Sequence, residues 1–163
     1  MNPSTPMQIH FFTSNLKNIM AKVSTYLNFS GNTEEAFNFY KSIFDSEFMG
    51  EMMRYGDVPP GQSDMQVPEQ DKNLVMHVTL PIMGDHYLMG TDITASMAYN
   101  VTPGNNMYLA LDPDTKEETD RLFKALSEGG KVETEMQDMF WGDYYGVCVD
   151  KFGIKWMFNH TKK

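Results

Sequence analysis

Val23-Ser24-Thr25-Tyr26-Leu27-Asn28-Phe29-Ser30-Gly31-Asn32-Thr33-Glu34-Glu35-Ala36-Phe37-Asn38-Phe39-Tyr40-Lys41-Ser42-Ile43-Phe44 changes its hydrophobic period partway along. Val23 to Phe29 is β-prone and ends in Ser30-Gly31-Asn32, a turn cluster that also offers a helix cap. Beyond it Ala36, Phe37, Tyr40, Ile43 and Phe44 recur at three and four residues, making one apolar helical face that must pack on a sheet. Asn32 and Glu35 stand at capping-box spacing, with Asn in place of Ser or Thr. Working outward, Glu47 to Tyr55 reads as a strand and Gly56 to Lys72 as a long Pro-, Gly- and Gln-containing loop. Asn73 to Ile82 and His86 to Gly90 read as two strands joined at Met83-Gly84-Asp85. The order is β-α-β-β-β.

The second half repeats that order. Asn106 to Leu111 is a strand, Asp114 with Glu117 caps a helix carrying Leu122, Phe123 and Leu126, and Gly129-Gly130 stops it. Lys131 to Met136, Tyr144 to Val149 and Ile154 to Phe158 supply three more strands. Tyr26 matches Tyr108 82 residues on, Phe39-Tyr40 matches Leu122-Phe123 at 83, and Tyr55-Gly56-Asp57 matches Trp141-Gly142-Asp143 at 86. A drift of this size is what changes in two loops produce. The fold class expected is α+β, built from tandem βαβββ modules over residues 22–100 and 104–160.

At 163 residues, against roughly 100 to 200 per domain, the chain holds one domain made of two small repeats. Apolar residues are 41% and charged residues 21%, as in ordinary folded proteins. A net charge of −9 disfavours a nonspecific grip on nucleic-acid phosphates or anionic lipid, which leaves a small molecule or a protein as partner. The single cysteine, Cys148, cannot form an internal disulfide, which fits a reducing, cytoplasmic setting. No apolar run reaches the ~20 residues that span a bilayer. No P-loop, dinucleotide fingerprint, nucleophile elbow or His-Glu-x-x-His motif is present.

The strand-turn-helix Tyr26 to Tyr40 resembles the opening of the vicinal-oxygen-chelate superfamily, the glyoxalase, bleomycin-resistance and dioxygenase group. Met52-Met53-Arg54-Tyr55-Gly56-Asp57, Val75-Met76-His77, Leu88-Met89-Gly90-Thr91-Asp92, Gln137 to Gly142 and Asp150 to Met157 resemble its PhnB-like branch. The resemblance covers Met20 to His160. It implies two βαβββ modules around a U-shaped cavity, paired subunits, and in the superfamily's enzymes a divalent metal acting as Lewis acid on two substrate oxygens. The four ligand positions of that site fall at Thr25, Met107, Met89 and Met157, none a histidine or carboxylate. A thioether is a poor ligand for hard or borderline metals, so the standard metal site is expected to be missing. Some PhnB-like proteins carry a label implying ubiquinone-pathway methyl transfer, but the sequence has no glycine-rich cofactor loop to support it.

Other residues carry two readings each. His77 lines the cavity, or is satisfied by a backbone carbonyl within the sheet. Asp92 projects over the cavity mouth, or is a turn cap. Glu51 and Arg54, three apart in a strand, point to opposite faces, so only one serves a ligand. Phe140-Trp141 with Tyr144-Tyr145 stacks on a planar or cationic guest, or closes the hairpin against the neighbouring module. The 15 methionines are core filler, or an adaptable cavity lining. His86 and His160 are expected to be exposed, and Cys148 to be a core residue.

The resulting expectation is a metal-independent, cofactor-free homodimer whose cavity binds a small, partly apolar or aromatic molecule as a carrier or sequestering protein. Its cavity candidates are Tyr26, Glu51, His77, Met89, Asp92, Tyr108, Trp141, Trp156 and Met157. The competing class is a lyase, isomerase or dioxygenase of the same superfamily with an unorthodox metal site, or with an acid–base pair of His77 with Glu51 or Asp92. Residues 1–19 read as an extension before a domain over 20–163, or as the product of an upstream start codon assigned in error. N-terminal sequencing of protein made from its natural start is expected to begin at Met20 under the second alternative, and finding residues 1–19 rejects it.

Overall fold

The computed structural model describes residues 21–59, 67–97 and 100–161; the expected extension lies outside them, as do residues 60–66 of the expected long loop. The first half contains β1 (Thr25–Phe29), α1 (Thr33–Phe44), β2 (Met53–Arg54), β3 (Val75–Pro81) and β4 (Tyr87–Asp92). The second contains β5 (Leu109–Leu111), α2 (Lys116–Ser127), β6 (Lys131–Asp138), β7 (Asp143–Val149) and β8 (Lys155–Thr161). Each half forms its own four-stranded mixed sheet, ordered β1-β4-β3-β2 and β5-β8-β7-β6. In both, the first strand runs parallel to the fourth and the remaining pairs are antiparallel. The two helices have 12 residues each and start 83 positions apart, as the repeat arithmetic requires.

Boundaries differ where backbone geometry intervenes. The expected strand Glu47 to Tyr55 contracts to Met53–Arg54 because Gly50 adopts a φ of 81°, which no extended strand passes through. Phe48 and Met52 still pack against the core. Asn32 makes no side-chain cap on α1. That end is capped by Asp92, at the end of the neighbouring strand β4, whose Oδ1 accepts from Gly31 N (3.0 Å), Thr33 N (3.0 Å) and Thr33 Oγ1 (2.6 Å). Its Oδ2 accepts from Val75 N at 2.8 Å. One carboxylate thus holds the positive end of α1 to the first residue of β3. On α2 the cap is Thr115 rather than Asp114, with Oγ1 accepting from Glu118 N at 3.1 Å.

One hydrophobic cluster runs through both halves, from Leu27, Phe29, Phe37 and Tyr40 to Leu122, Phe123, Trp156 and Phe158. Gly90 lies under Phe37 so closely that a Cβ there would enter the ring, which is why the helix can sit this near β4. The halves meet where Tyr40 packs edge-on against Trp156 and Phe152, at centroid distances of 5.7 and 6.1 Å. At this junction Asp150, 3% exposed, accepts from Tyr40 OH (2.7 Å) and Trp156 Nε1 (2.9 Å) through Oδ2. Its Oδ1 accepts from Phe152 N and Ile154 N. Burial first, and then the charge of Asp150, hold the Tyr40 hydroxyl well above its ordinary pKa. Asp92→Ala and Asp150→Ala each strand several buried donors and are expected to lower the unfolding free energy by about 3 kcal/mol or more. In urea titrations the midpoint falls at unchanged slope; losses below about 1 kcal/mol would show that these carboxylates do not hold the elements together.

Candidate functional site

β1 and β5 are the outer strands of their sheets, and a cleft of about 760 Å³ lies between them. Its walls are Tyr26 to Ser30 and Asn32 on one side, and Asn106, Met107, Leu109 and Phe152 to Lys155 on the other, with residues 100–104 closing one end. That volume falls within the range of small-molecule sites, roughly 300 to 1,000 Å³. A second cleft of about 350 Å³ lies behind it, lined by Ile82, Met83, Gly84, His86 and Tyr108 to Asp112.

Strand alternation sorts the candidates by face. Leu27, Val78, Leu80 and Leu88 turn to the helices, while Tyr26, His77, Thr79 and Met89 occupy the other face. On that face Tyr26 OH lies 3.2 Å from His77 Nδ1, and His77 Nε2 lies 3.0 Å from Thr79 Oγ1. Both imidazole nitrogens therefore meet hydroxyls, not the backbone carbonyl expected. The second half replaces this chain with an ion pair. Tyr108 OH donates to Glu133 Oε2 at 3.1 Å, and Lys155 Nζ donates to Glu133 Oε1 at 2.7 Å and to Tyr108 OH at 3.5 Å. The hydrogen bond from Lys155 holds the Glu133 carboxyl below its ordinary pKa, and the same contact holds the Lys155 ammonium above its own.

Of the nine expected cavity residues, Tyr26 borders the large cleft and Tyr108 the small one. Met89 and Met157 face the same side as these tyrosines, half-buried, and His77 reaches the site through Tyr26. Two expectations are corrected. Trp156 is fully buried with its indole N–H on Asp150, because alternation along β8 turns it to the helices. Asp92, 2% exposed, is saturated by the cap of α1 and the start of β3. Glu51 is exposed and precedes β2, so the opposite-face argument for Glu51 and Arg54 does not apply. Arg54 instead binds both Glu34 oxygens at 2.8 and 2.9 Å. Neither Glu51 nor Asp92 bonds to His77 among the described residues, so the anticipated acid–base pairs do not form.

The aromatic group at the β6–β7 turn divides. Phe140 is 96% and Trp141 48% exposed, with Trp141 against Tyr145 at 5.9 Å, while Tyr144 turns inward and donates to Asp120 at 2.7 Å. His86 and His160, expected to be exposed, are part-buried and partnered by Thr25 Oγ1 (2.9 Å) and Pro113 O (3.0 Å). No methionine among the described residues is fully buried; rings of fixed shape fill the core, and thioethers sit at its margin and on the open faces. Sequence reasoning missed Lys155, Glu133 and the asparagines of the cleft. Lys155 had a signal: Tyr26 pairs with Met89 while Leu109 pairs with Trp156, so Lys155, rather than Met157, is the counterpart of Met89.

A divalent metal of the kind the resemblance implies does not fit these residues. Its four positions hold a hydroxyl and three thioethers, and the register puts an ammonium at one of them. Among the described residues no three of His, Cys, Asp and Glu gather into a chelating group.

Comparison with known proteins agrees with this architecture. A family model described as 3-demethylubiquinone-9 3-methyltransferase matches residues 21–158. Protein YjdN of Escherichia coli is 29% identical over 149 residues, covering 86% of this chain and 96% of that protein. The structure of PA1353 from Pseudomonas aeruginosa superposes with a TM-score of 0.75 at 31% identity, covering 88% of this chain and all of the other. The PhnB protein from Bacillus cereus, described as a 3-demethylubiquinone-9 3-methyltransferase, superposes at 0.66 with 30% identity, covering 86% of this chain and 100% of its own. A glyoxalase/bleomycin resistance protein/dioxygenase family enzyme from Burkholderia phytofirmans, 18% identical, shares the fold with a TM-score of 0.56 and coverages of 85% and 98%.

Cys148 is fully buried, and burial, followed by the charges of Asp150 and Glu133, pushes its thiol up to about 12. Iodoacetamide is expected to leave Cys148 unmodified in the folded protein at neutral and mildly alkaline pH and to label it in urea; rapid labelling of the folded protein would contradict this. Glu133 stabilises the fold above its unfolded pKa, about 4.3, and that contribution is lost as the pH falls through its lower folded value. Lys155→Met is expected to move the Glu133 titration upward in carboxyl-detected NMR, and an unmoved midpoint would show that the ammonium does not set it.

Proposed function

We propose that this chain, which belongs to the PhnB-like family of the glyoxalase/bleomycin resistance/dioxygenase superfamily, works without a bound metal and binds a small, partly apolar or aromatic molecule. The supporting observation is the cleft of about 760 Å³ between the sheet edges. Its walls combine the apolar groups of Phe29, Met107, Phe152 and Ile154 with hydroxyls and carboxamides, the mixture that takes an apolar body and orients it through a few polar contacts. Carriage or sequestration needs no more than this. Catalysis would need a polarising or proton-transferring group, and His77, which reaches the cleft through Tyr26, is engaged by two hydroxyls and by no carboxylate among the described residues.

The methyltransferase description of some relatives is not carried to this chain. The β1–α1 turn holds one glycine, Gly31, and its N–H and that of Thr33 are both taken by Asp92. No glycine-rich loop is left there to receive a nucleotide-bearing cofactor. We further propose a cytoplasmic homodimer. Exposed Met53, Phe140 and Trp141, outside the cleft lining, offer apolar surface for a second copy, and the single cysteine fits a reducing compartment.

Met107 is 64% exposed, so Met107→Asp is expected to fold normally. In ligand-observed NMR with naphthalene-based probes it is expected to weaken binding about tenfold, and failure of the natural protein to bind any such probe would sink the ligand-binding reading. Elemental analysis of purified protein is expected to give substoichiometric Ni, Zn, Fe and Mn; a full equivalent that disappears in His77→Ala would overturn metal independence. Light scattering is expected to give twice the chain mass, and a value near 18.7 kDa would reject the dimer.

A further inference from the structure

We infer that the cleft between the halves selects a neutral, planar ligand that presents an amide edge, a ring –CO–NH– or a carboxamide. This rests on the ligand-binding reading above and adds the chemistry of recognition. Four of the eight asparagines among the described residues line this one cleft: Asn28, Asn32, Asn100 and Asn106. Their carboxamides have no hydrogen-bond partner among the described residues. Each carboxamide offers an acceptor and two donors side by side. That pattern matches an amide edge with two hydrogen bonds, as when asparagine reads the donor–acceptor edge of adenine.

Charge selects in the same direction. Among the described residues, Lys155 is the only ionic side chain in the lining. Its side chain is 12% exposed, and its ammonium is already paired with Glu133 at 2.7 Å. An anionic ligand would compete with Glu133 for Lys155 and approach a chain of net charge −9. A cationic ligand finds no carboxylate among the described residues of the lining. A neutral amide disturbs neither ion and satisfies open carboxamides, while the rings of Tyr26 and Phe152 supply faces for a planar body.

The test measures binding of naphthamide, naphthoate and naphthylmethylammonium to the full chain by ligand-observed NMR, with naphthalene as the apolar reference. Naphthamide is expected to bind at least about tenfold tighter than either ion or naphthalene. Asn28→Ala and Asn106→Ala, both at exposed positions, are expected to weaken naphthamide by about 3- to 10-fold each, with unchanged circular dichroism. Asn100→Ala serves if either fails to fold, and Asn38→Ala, on the exposed face of α1 outside the cleft, is expected to leave binding unchanged. Naphthoate binding as tightly as naphthamide, or asparagine variants that bind naphthamide like the natural protein, would overturn the inference. Equal binding of all four probes, lost in Met107→Asp, would overturn it while leaving ligand binding intact. No binding of any probe would remove both.

Discussion

The architecture depends on the junction where Asp150 takes the hydroxyl of Tyr40 from the first half and the indole N–H of Trp156 from the second. A βαβββ unit of this size has one sheet and one helix and buries too small a share of its surface to be more than marginally stable alone. Tyr40 removes that problem by inserting its ring among Trp156, Phe152 and Phe39, so that two small sheets share one core. A phenol and an indole can be buried this deeply only when their polar atoms are satisfied, and the single carboxylate satisfies both. Its other oxygen fixes the β7–β8 turn, which carries Phe152 to Lys155 into the wall of the cleft. The position of the cleft is thus a consequence of how the halves are pinned.

Asp92 plays the corresponding part within the first half. By capping α1 and bonding to the start of β3, it fixes the Ser30-Gly31-Asn32 turn, the other rim of the cleft. Both carboxylates are turned inward and spent on structure. Among the described residues, the functional groups left facing the large cleft are hydroxyls, carboxamides, a thioether and one compensated ammonium. The four positions at which the resemblance would bring metal donors together carry Thr25, Met89, Met107 and Lys155 or Met157.

The two halves have also diverged from each other at equivalent places. Tyr26 meets His77, which in turn meets Thr79, whereas Tyr108 meets the ion pair of Glu133 and Lys155. A ligand lying along the seam therefore meets an imidazole–hydroxyl chain on one side and a closed ion pair on the other.

Much of the fold was legible in the sequence because periodicity reports which face of an element is apolar. The switch from β-prone residues before Ser30 to the three- and four-residue spacing of Ala36, Phe37, Tyr40 and Ile43 determined the first strand and helix. The 82- and 83-residue offsets determined that the chain is one motif used twice. Contacts between residues far apart in sequence could not be read that way. Asn32 looked like the cap of α1, but Asp92, 59 residues past Thr33, is the cap, since a charged carboxylate brought over by β4 outbids a neutral side chain for the same N–H groups. Trp156 looked like a cavity residue because its sequence neighbours are; the register of β8 against β5 decided which side it faces. The cleft belongs wholly to tertiary structure: its walls come from strand edges and turns more than 100 residues apart, and no local pattern records where two edges stop short of each other.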